Sequence, residues 1–320
     1  MKLARAASPA GGQTRQAALA TVPDLRRVLL LTALGFVSWV LPTKAWAPCL
    51  GGAVRIANRV APRRAREYER WLSGSGLPRE PAGSSSAAAR AYTANQWLLN
   101  VMFLREHRPG GWRPTITLEG RENLEAALNA GRGAVLWVTD TVPSSLIVKR
   151  GLFESGFAVT HLSRTSHGPG VSQSRLSDGL RRLQTSVEER YLGHREVIVD
   201  SPVGPLRRLN DRLLANECVS ITAWNKSNRT CRVSLTGREF ELATGPIELA
   251  RLAKSQLLPV FTLQSGPSSF RVVVGQSLPL DGPQRDEPPA AAKHYAAQLD
   301  AYLVRQPYHW QGWSNGMARS

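Results

Sequence analysis

Short apolar runs alternate with stretches of helical period through most of this chain, and that alternation predicts a sheet covered by helices. The clearest passage is residues 133–164. There AVLWV at 134–138 is a continuous apolar run of strand length, 139–145 is a polar turn interrupted by Pro143, and 146–155 has helical spacing closed by Gly156. A second strand is expected over 157–162. Downstream the pattern predicts a helix near 174, a strand at 197–200, a helix at 205–216 and a strand at 219–224. A short strand at 232–236, a helix at 246–254, an antiparallel pair at 257–264 and 270–275, and a closing amphipathic helix at 289–304 complete it. Upstream, 91–105 reads as a helix and 107–112 as a loop. The fold class is therefore α/β, a mixed central sheet flanked by helices, with no internal repeat.

The first ninety residues follow a different pattern. Residues 28–41 (VLLLTALGFVSWVL) are apolar, preceded by Arg26 and Arg27 and stopped by Pro42 and Lys44. A bilayer span takes about 20 apolar residues, so this run is short, although 45–53 extends it past Pro42. A cleaved signal peptide is the competing reading, with Ala45-Trp46-Ala47 as its site, and an ordinary buried helix is a third. Against cleavage stand Arg55, Arg59, Arg63, Arg64, Arg66 and Arg70, a cluster that resists translocation and marks a cytoplasmic flank. The expected organisation is a basic N-terminus at 1–24, a membrane anchor with a basic juxtamembrane helix at 25–72, a flexible linker rich in Ser, Gly and Ala at 73–89, and the α/β domain at 90–320.

Charge sharpens this division. Of the formal net charge of +17, residues 1–90 hold 14 Lys and Arg against 4 Asp and Glu. A basic flank beside an apolar run suits an anionic membrane surface, the partner expected here. Nucleic acid is the rival, but no zinc-finger spacing, RNA-binding aromatic motif or basic heptad accompanies the charge. Cys49, Cys218 and Cys231 have no C-x-x-C spacing, so neither a disulfide framework nor a zinc site is indicated, and no metal is expected. Two glycosylation sequons, at Asn225 and Asn228, carry no weight.

The blocks at 120–136 (GRENLEAALNAGRGAVL), 219–221 and 243–261 (ATGPIELARLAKSQLLPVF) carry a resemblance. Together with the strand-turn-helix at 133–164, they make the chain similar, over about residues 25–313, to the bacterial lipid A lauroyl/myristoyl acyltransferase family and more loosely to glycerolipid acyltransferases. Thr244, Gly245 and Pro246, followed by 258–260, reproduce that family's threonine-glycine turn, helix and strand. The resemblance implies a membrane-associated acyltransferase at the cytoplasmic face of the cell inner membrane. It implies an acyl carrier protein or CoA thioester as donor, a lipid or amphipathic acceptor, and no further cofactor. A catalytically silent homologue that binds lipid or joins a complex is the alternative; a nucleic-acid-binding protein rests on net charge alone.

The departure lies at the reacting centre. The family uses a His followed five residues later by Asp or Glu, and none of His107, His161, His167, His194, His294 or His309 has that partner. Thr139 or Asp140 stands near the vacant place, and where the family carries an Asp-Gln pair this chain reads Ala223-Trp224-Asn225-Lys226. Acyl transfer needs a base for the acceptor hydroxyl, a carboxylate to orient it, and donors for the oxyanion. His167, in a glycine-bearing loop after a strand, is the candidate base, or an exposed loop histidine. Asp140 is the candidate orienting or basic carboxylate, or a turn cap. Ser144 and Ser145 are candidate substrate contacts or nucleophiles, or caps. Thr244 and Gly245 open a helix whose free N–H groups suit an anion, or simply cap it. Arg164, which corresponds to a family arginine, and Arg175 suit phosphate. Arg181, Arg182, Arg207 and Arg208 form a solvated face that also suits an acidic carrier protein.

Overall fold

The computed structural model describes residues 18–60, 63–77, 84–165, 167–168, 172–199, 201–223, 229–280 and 289–314. Segment 1–17, the turn 224–226, both sequon asparagines, and residues 166 and 169–171 of the His167 loop lie outside them.

The strand AVLWV is where the architecture begins. With no charge to solvate, it becomes β2 (Ala134–Val138), every residue of it buried, between β5 (Cys218–Thr222) and β8 (Gln256–Gly266), both parallel to it. Beyond β5 come β3 (Val159–Arg164) and β4 (His194–Ile198), also parallel. Beyond β8 come β9 (Ser269–Val274), antiparallel, and β1 (Thr115–Glu119), parallel to β9. The seven-stranded sheet is thus mixed, in the order β1-β9-β8-β2-β5-β3-β4. A separate antiparallel hairpin joins β6 (Thr230–Leu235) to β7 (Arg238–Ala243).

Alternation along the strands makes two cores. Val135 and Trp137 face one side with Val219, Ile221, Leu257 and Phe261, under α8 (Val203–Leu214), α9 (Gly245–Ala253) and α10 (Ala290–Arg305). Trp137 stacks on Tyr295 of α10, ring centroids 4.2 Å apart. Ala134, Leu136 and Val138 face the other side with Cys218, Leu258 and Val260, under α5 (Arg121–Asn129) and α6 (Ser144–Glu154). The same core receives α1 (Val22–Val40), α2 (Thr43–Val60) and α4 (Ser85–Glu106), while α7 (Arg175–Glu189) packs against α6 and α4.

Several boundaries differ from the expectation for local reasons. The basic helix expected at 55–72 falls on two helices, α2, which ends at Val60, and α3 (Arg63–Ser73). Far from standing off the domain, α3 buries Tyr68, Trp71 and Leu72 in the first core, where Tyr68 stacks on Tyr92 of α4 with centroids 4.4 Å apart. The expected linker loses its last residues to α4, whose Ser84 Oγ accepts from Ala87 N and starts the helix at Ser85. β3 starts two residues late. Gly156 at φ +88° lets Phe157 N bond back to Leu152 O, so Phe157 completes the end of α6 instead of opening a strand. β4 starts three residues early because Arg195 reaches Ser163 Oγ and Arg208 reaches Glu196, pairing polar residues along an edge strand. Among the described residues no helix is long and apolar enough to cross a membrane.

Candidate functional site

The carboxyl ends of β2, β3 and β5 open into a cleft of about 280 Å³, at the edge where open α/β sheets place ligands. Its floor is the crossing after β2 together with the first turn of α6. One wall is His161 of β3 and Ser220 of β5, and another is Lys149 of α6 and Gln184 of α7. The last wall consists of Arg27 of α1 with Gln96 and Asn100 of α4. His167 and Gly168 lie at its rim.

At the crossing after β2, two neighbours differ in what they do. Thr139 lines the cleft but is held to the sheet: its N–H and hydroxyl both donate to Val260 O at 2.9 Å, and Tyr295 donates to its oxygen at 3.3 Å. Asp140 faces the cleft. Among the described residues no side chain hydrogen-bonds its carboxyl group, and burial pushes that group up to about 7, so it carries a proton for part of the time at neutral pH.

A buried carboxylate that no local motif announces stands behind this floor. Glu188 of α7 has no exposed surface and is shared by Lys149 Nζ, His167 Nε2 at 2.8 and 2.9 Å from its two oxygens, and Gln184 Nε2 at 2.8 Å. Burial alone would raise its carboxyl, but the Lys149 and His167 charges beside it outweigh that and hold it well below the usual range. Lys149, 5% exposed in its side chain, is pushed down by burial and partly restored by Glu188. An ionised carboxylate only accepts, so Nε2 of His167 carries the hydrogen of this bond and Nδ1 is the ring nitrogen left to face a substrate.

His161 is buried with Nδ1 2.8 Å from Ser220 Oγ, its partner in register across β3 and β5. Burial, then the nearby Lys149 and His167, hold its ring well below the usual histidine range, so it is neutral at physiological pH. On α6, Ser144 Oγ shares hydrogen bonds with Thr141 Oγ1 and Thr262 Oγ1, while Ser145 Oγ is buried with no hydrogen-bond partner among the described residues. Neither serine caps the helix by its side chain, because Pro143 occupies the cap position.

The structure brings His167, Asp140 and Ser144 of the expected residues into one cleft. Arg164 ends β3 and Arg175 opens α7, both exposed and neither lining it. Thr244 and Gly245 begin α9 on the opposite face of the sheet. Thr244 does not cap that helix; its hydroxyl donates instead to Glu248 Oε1 at 2.9 Å, which removes the expected capping role. Lys149, Glu188, His161, Ser220 and Gln184 escaped the sequence reading. A lysine inside the apolar run SLIVKRGLF was the one local signal, since a buried amine demands a buried partner. Glu188 lies 21 positions from His167, and no spacing rule links them. Among the described residues no group of three or more His, Cys, Asp or Glu is placed to hold a metal ion.

No family model matches this chain, and no curated protein matches it.

Proposed function

We propose that this cleft transfers an acyl group from a carrier or CoA thioester to the hydroxyl of a lipid or other amphipathic acceptor, at the cytoplasmic face of the inner membrane. The observation that carries the reading is the His167–Glu188 pair at the rim of the cleft that Asp140 enters with no side-chain partner among the described residues. It supplies a histidine oriented by a carboxylate, as acyl transfer requires, from residues distant in sequence.

In this mechanism His167 Nδ1 takes the acceptor hydroxyl proton as the oxygen bonds to the thioester carbonyl carbon. Glu188 stabilises the imidazolium that forms. The carbonyl oxygen gathers negative charge at the start of α6, where Ser145 Oγ and protonated Asp140 donate to it, and Lys149 adds a positive field. The carbon–sulfur bond then breaks, and the imidazolium returns its proton to the thiolate. Exposed Arg164 and Arg175 beside the His167 loop suit the acidic surface of a carrier donor.

The test is turnover by the purified protein with an acyl carrier or CoA thioester and a bacterial lipid extract. Acylated product that His167→Ala reduces by about 100-fold or more supports the assignment. Turnover unchanged in both His167→Ala and Asp140→Asn overturns it. Saturable thioester binding with no product would make the cleft a lipid-binding site.

A further inference from the structure

The outer face of α1 is apolar along most of its length, interrupted by Thr32. Val22, Leu25, Leu29, Phe36, Trp39 and Val40 recur at helical spacing on one side, and each is exposed, from 45% at Trp39 to 71% at Leu29. The opposite side of the same helix is occupied. Leu31 and Leu34 are buried against the domain, Ser38 Oγ donates to Val101 O at 2.9 Å, and Arg27 donates to Asn100 Oδ1 at 2.7 Å, while Trp39, at the edge of the outer stripe, reaches across with Nε1 to donate to Leu104 O at 2.9 Å. With one face docked on α4 and the other bare over about 28 Å of helix, α1 has more apolar surface than the fold consumes.

From these contacts we infer that α1 and α2 dock in the plane of an anionic lipid surface, lying along it and not crossing it. Charge chooses this occupant. Asp24 is the one acid between Val22 and Val60, and it is buried, bound by Thr21, Ser172, Ser174 and Ser177. On the exposed side the charges are all positive: Arg26 beside the stripe, then Lys44, Arg55 and Arg59 on α2, which packs on the same helix α4. Each cation near anionic headgroups strengthens binding roughly five-fold, whereas two copies of this face brought together would repel. The tether at Arg27 and the hydrogen bonds at Ser38 and Trp39 keep α1 against the domain.

The geometry gives the docking a consequence. Arg27 is on the inner side of α1 and lines the cleft with Gln96 and Asn100, so the helix lying in the lipid surface is also a wall of the reacting chamber. A lipid acceptor would pass from the leaflet under α1 into the cleft. This route rests on the acyl-transfer reading, whereas the docking does not.

The experiment is co-sedimentation of the full chain with vesicles of phosphatidylcholine containing 30% phosphatidylglycerol. Binding is expected, weakened at least ten-fold by Leu29→Glu or Phe36→Glu, weakened by raising salt from 50 to 500 mM, and much reduced on pure phosphatidylcholine. Both substituted residues are exposed, and an unchanged melting temperature confirms that each variant folds. Protein in cell membranes should be released by alkaline carbonate. Retention after carbonate, binding indifferent to the two variants, or no binding would each overturn the proposal. A concentration-dependent dimer that Leu29→Glu dissolves, without vesicle binding, would assign the face to a second copy instead. Because sedimentation needs no turnover, it can succeed even if acyl transfer fails.

Discussion

Replacing Glu188 by Gln keeps the shape of the side chain and removes one buried charge. The glutamine can still face His167 and Gln184, so the principal loss is the anion beside Lys149, an amine 5% exposed in its side chain with a partner that has no exposed surface. Removing one partner of a buried ion pair costs about 3–5 kcal/mol, because the remaining charge must be solvated or neutralised. The amide that remains puts the expectation at the lower end, about 3 kcal/mol. At about 2 °C per kcal/mol in a chain of this size, the melting temperature should fall by roughly 6 °C. The control is Lys149→Met with Glu188→Gln, which removes both charges together and should recover most of that loss, leaving a coupling energy of roughly 2–3 kcal/mol. Urea unfolding at pH 7 of the parent, the two single variants and the double variant measures all four corners of the cycle. If Glu188→Gln costs less than about 1 kcal/mol, or the double variant is as unstable as the two single losses added, Lys149 and Glu188 do not depend on one another and the description of the site is wrong.

Two pH effects follow from buried groups. Asp140 holds its proton more tightly when folded, up to about 7 from an ordinary 3.8, so ionising it works against the fold and stability falls as pH rises from about 4 through 7. Three units correspond to as much as about 4 kcal/mol. Asp140→Asn should therefore be more stable than the parent at pH 8 and equal to it at pH 4, and equal urea midpoints at both would contradict the burial of this carboxyl. His309 shifts the other way, since burial lowers it from 6.5 to about 4. The unfolded chain takes up that proton first, so stability is lost as pH falls below about 6.5, by about 2 kcal/mol between pH 7 and 5. His309→Asn should flatten this limb of a pH series of thermal melts, and an unchanged slope would assign the acid sensitivity elsewhere.

Much of the scaffold was legible because its signals are local. The apolar run at β2, the antiparallel pair β8 and β9, and the helices α8, α9 and α10 lie within a few residues of the expected positions. Burial of a period-two or period-3.6 pattern needs no knowledge of the partner. β1, α5 and β7 were not assigned from pattern. β1 is a five-residue sheet-edge strand with alternating polar residues, TITLE, and β7 is half of a small hairpin that buries only alternate residues, Phe240 and Leu242, so neither has the apolar run that marks a central strand. The N-terminal helices are ambiguous for a different reason. An apolar run such as 28–41 packs equally well against lipid or protein, and only the neighbouring surface of α4 decides how much of it is covered.

The amino-acid sequence by itself determined a mixed α/β sheet, a basic and apolar N-terminal region, and a polar crossing after β2. The tertiary structure alone decided what stands at that crossing. It closes Thr139 into the sheet, turns Asp140 into the cleft, and brings Glu188 from α7 against His167 and Lys149. The physical reason is range. Helix and strand periods are set by neighbours a few residues apart, whereas the protonation and orientation of a reacting group are set by whichever charges the packed chain holds beside it.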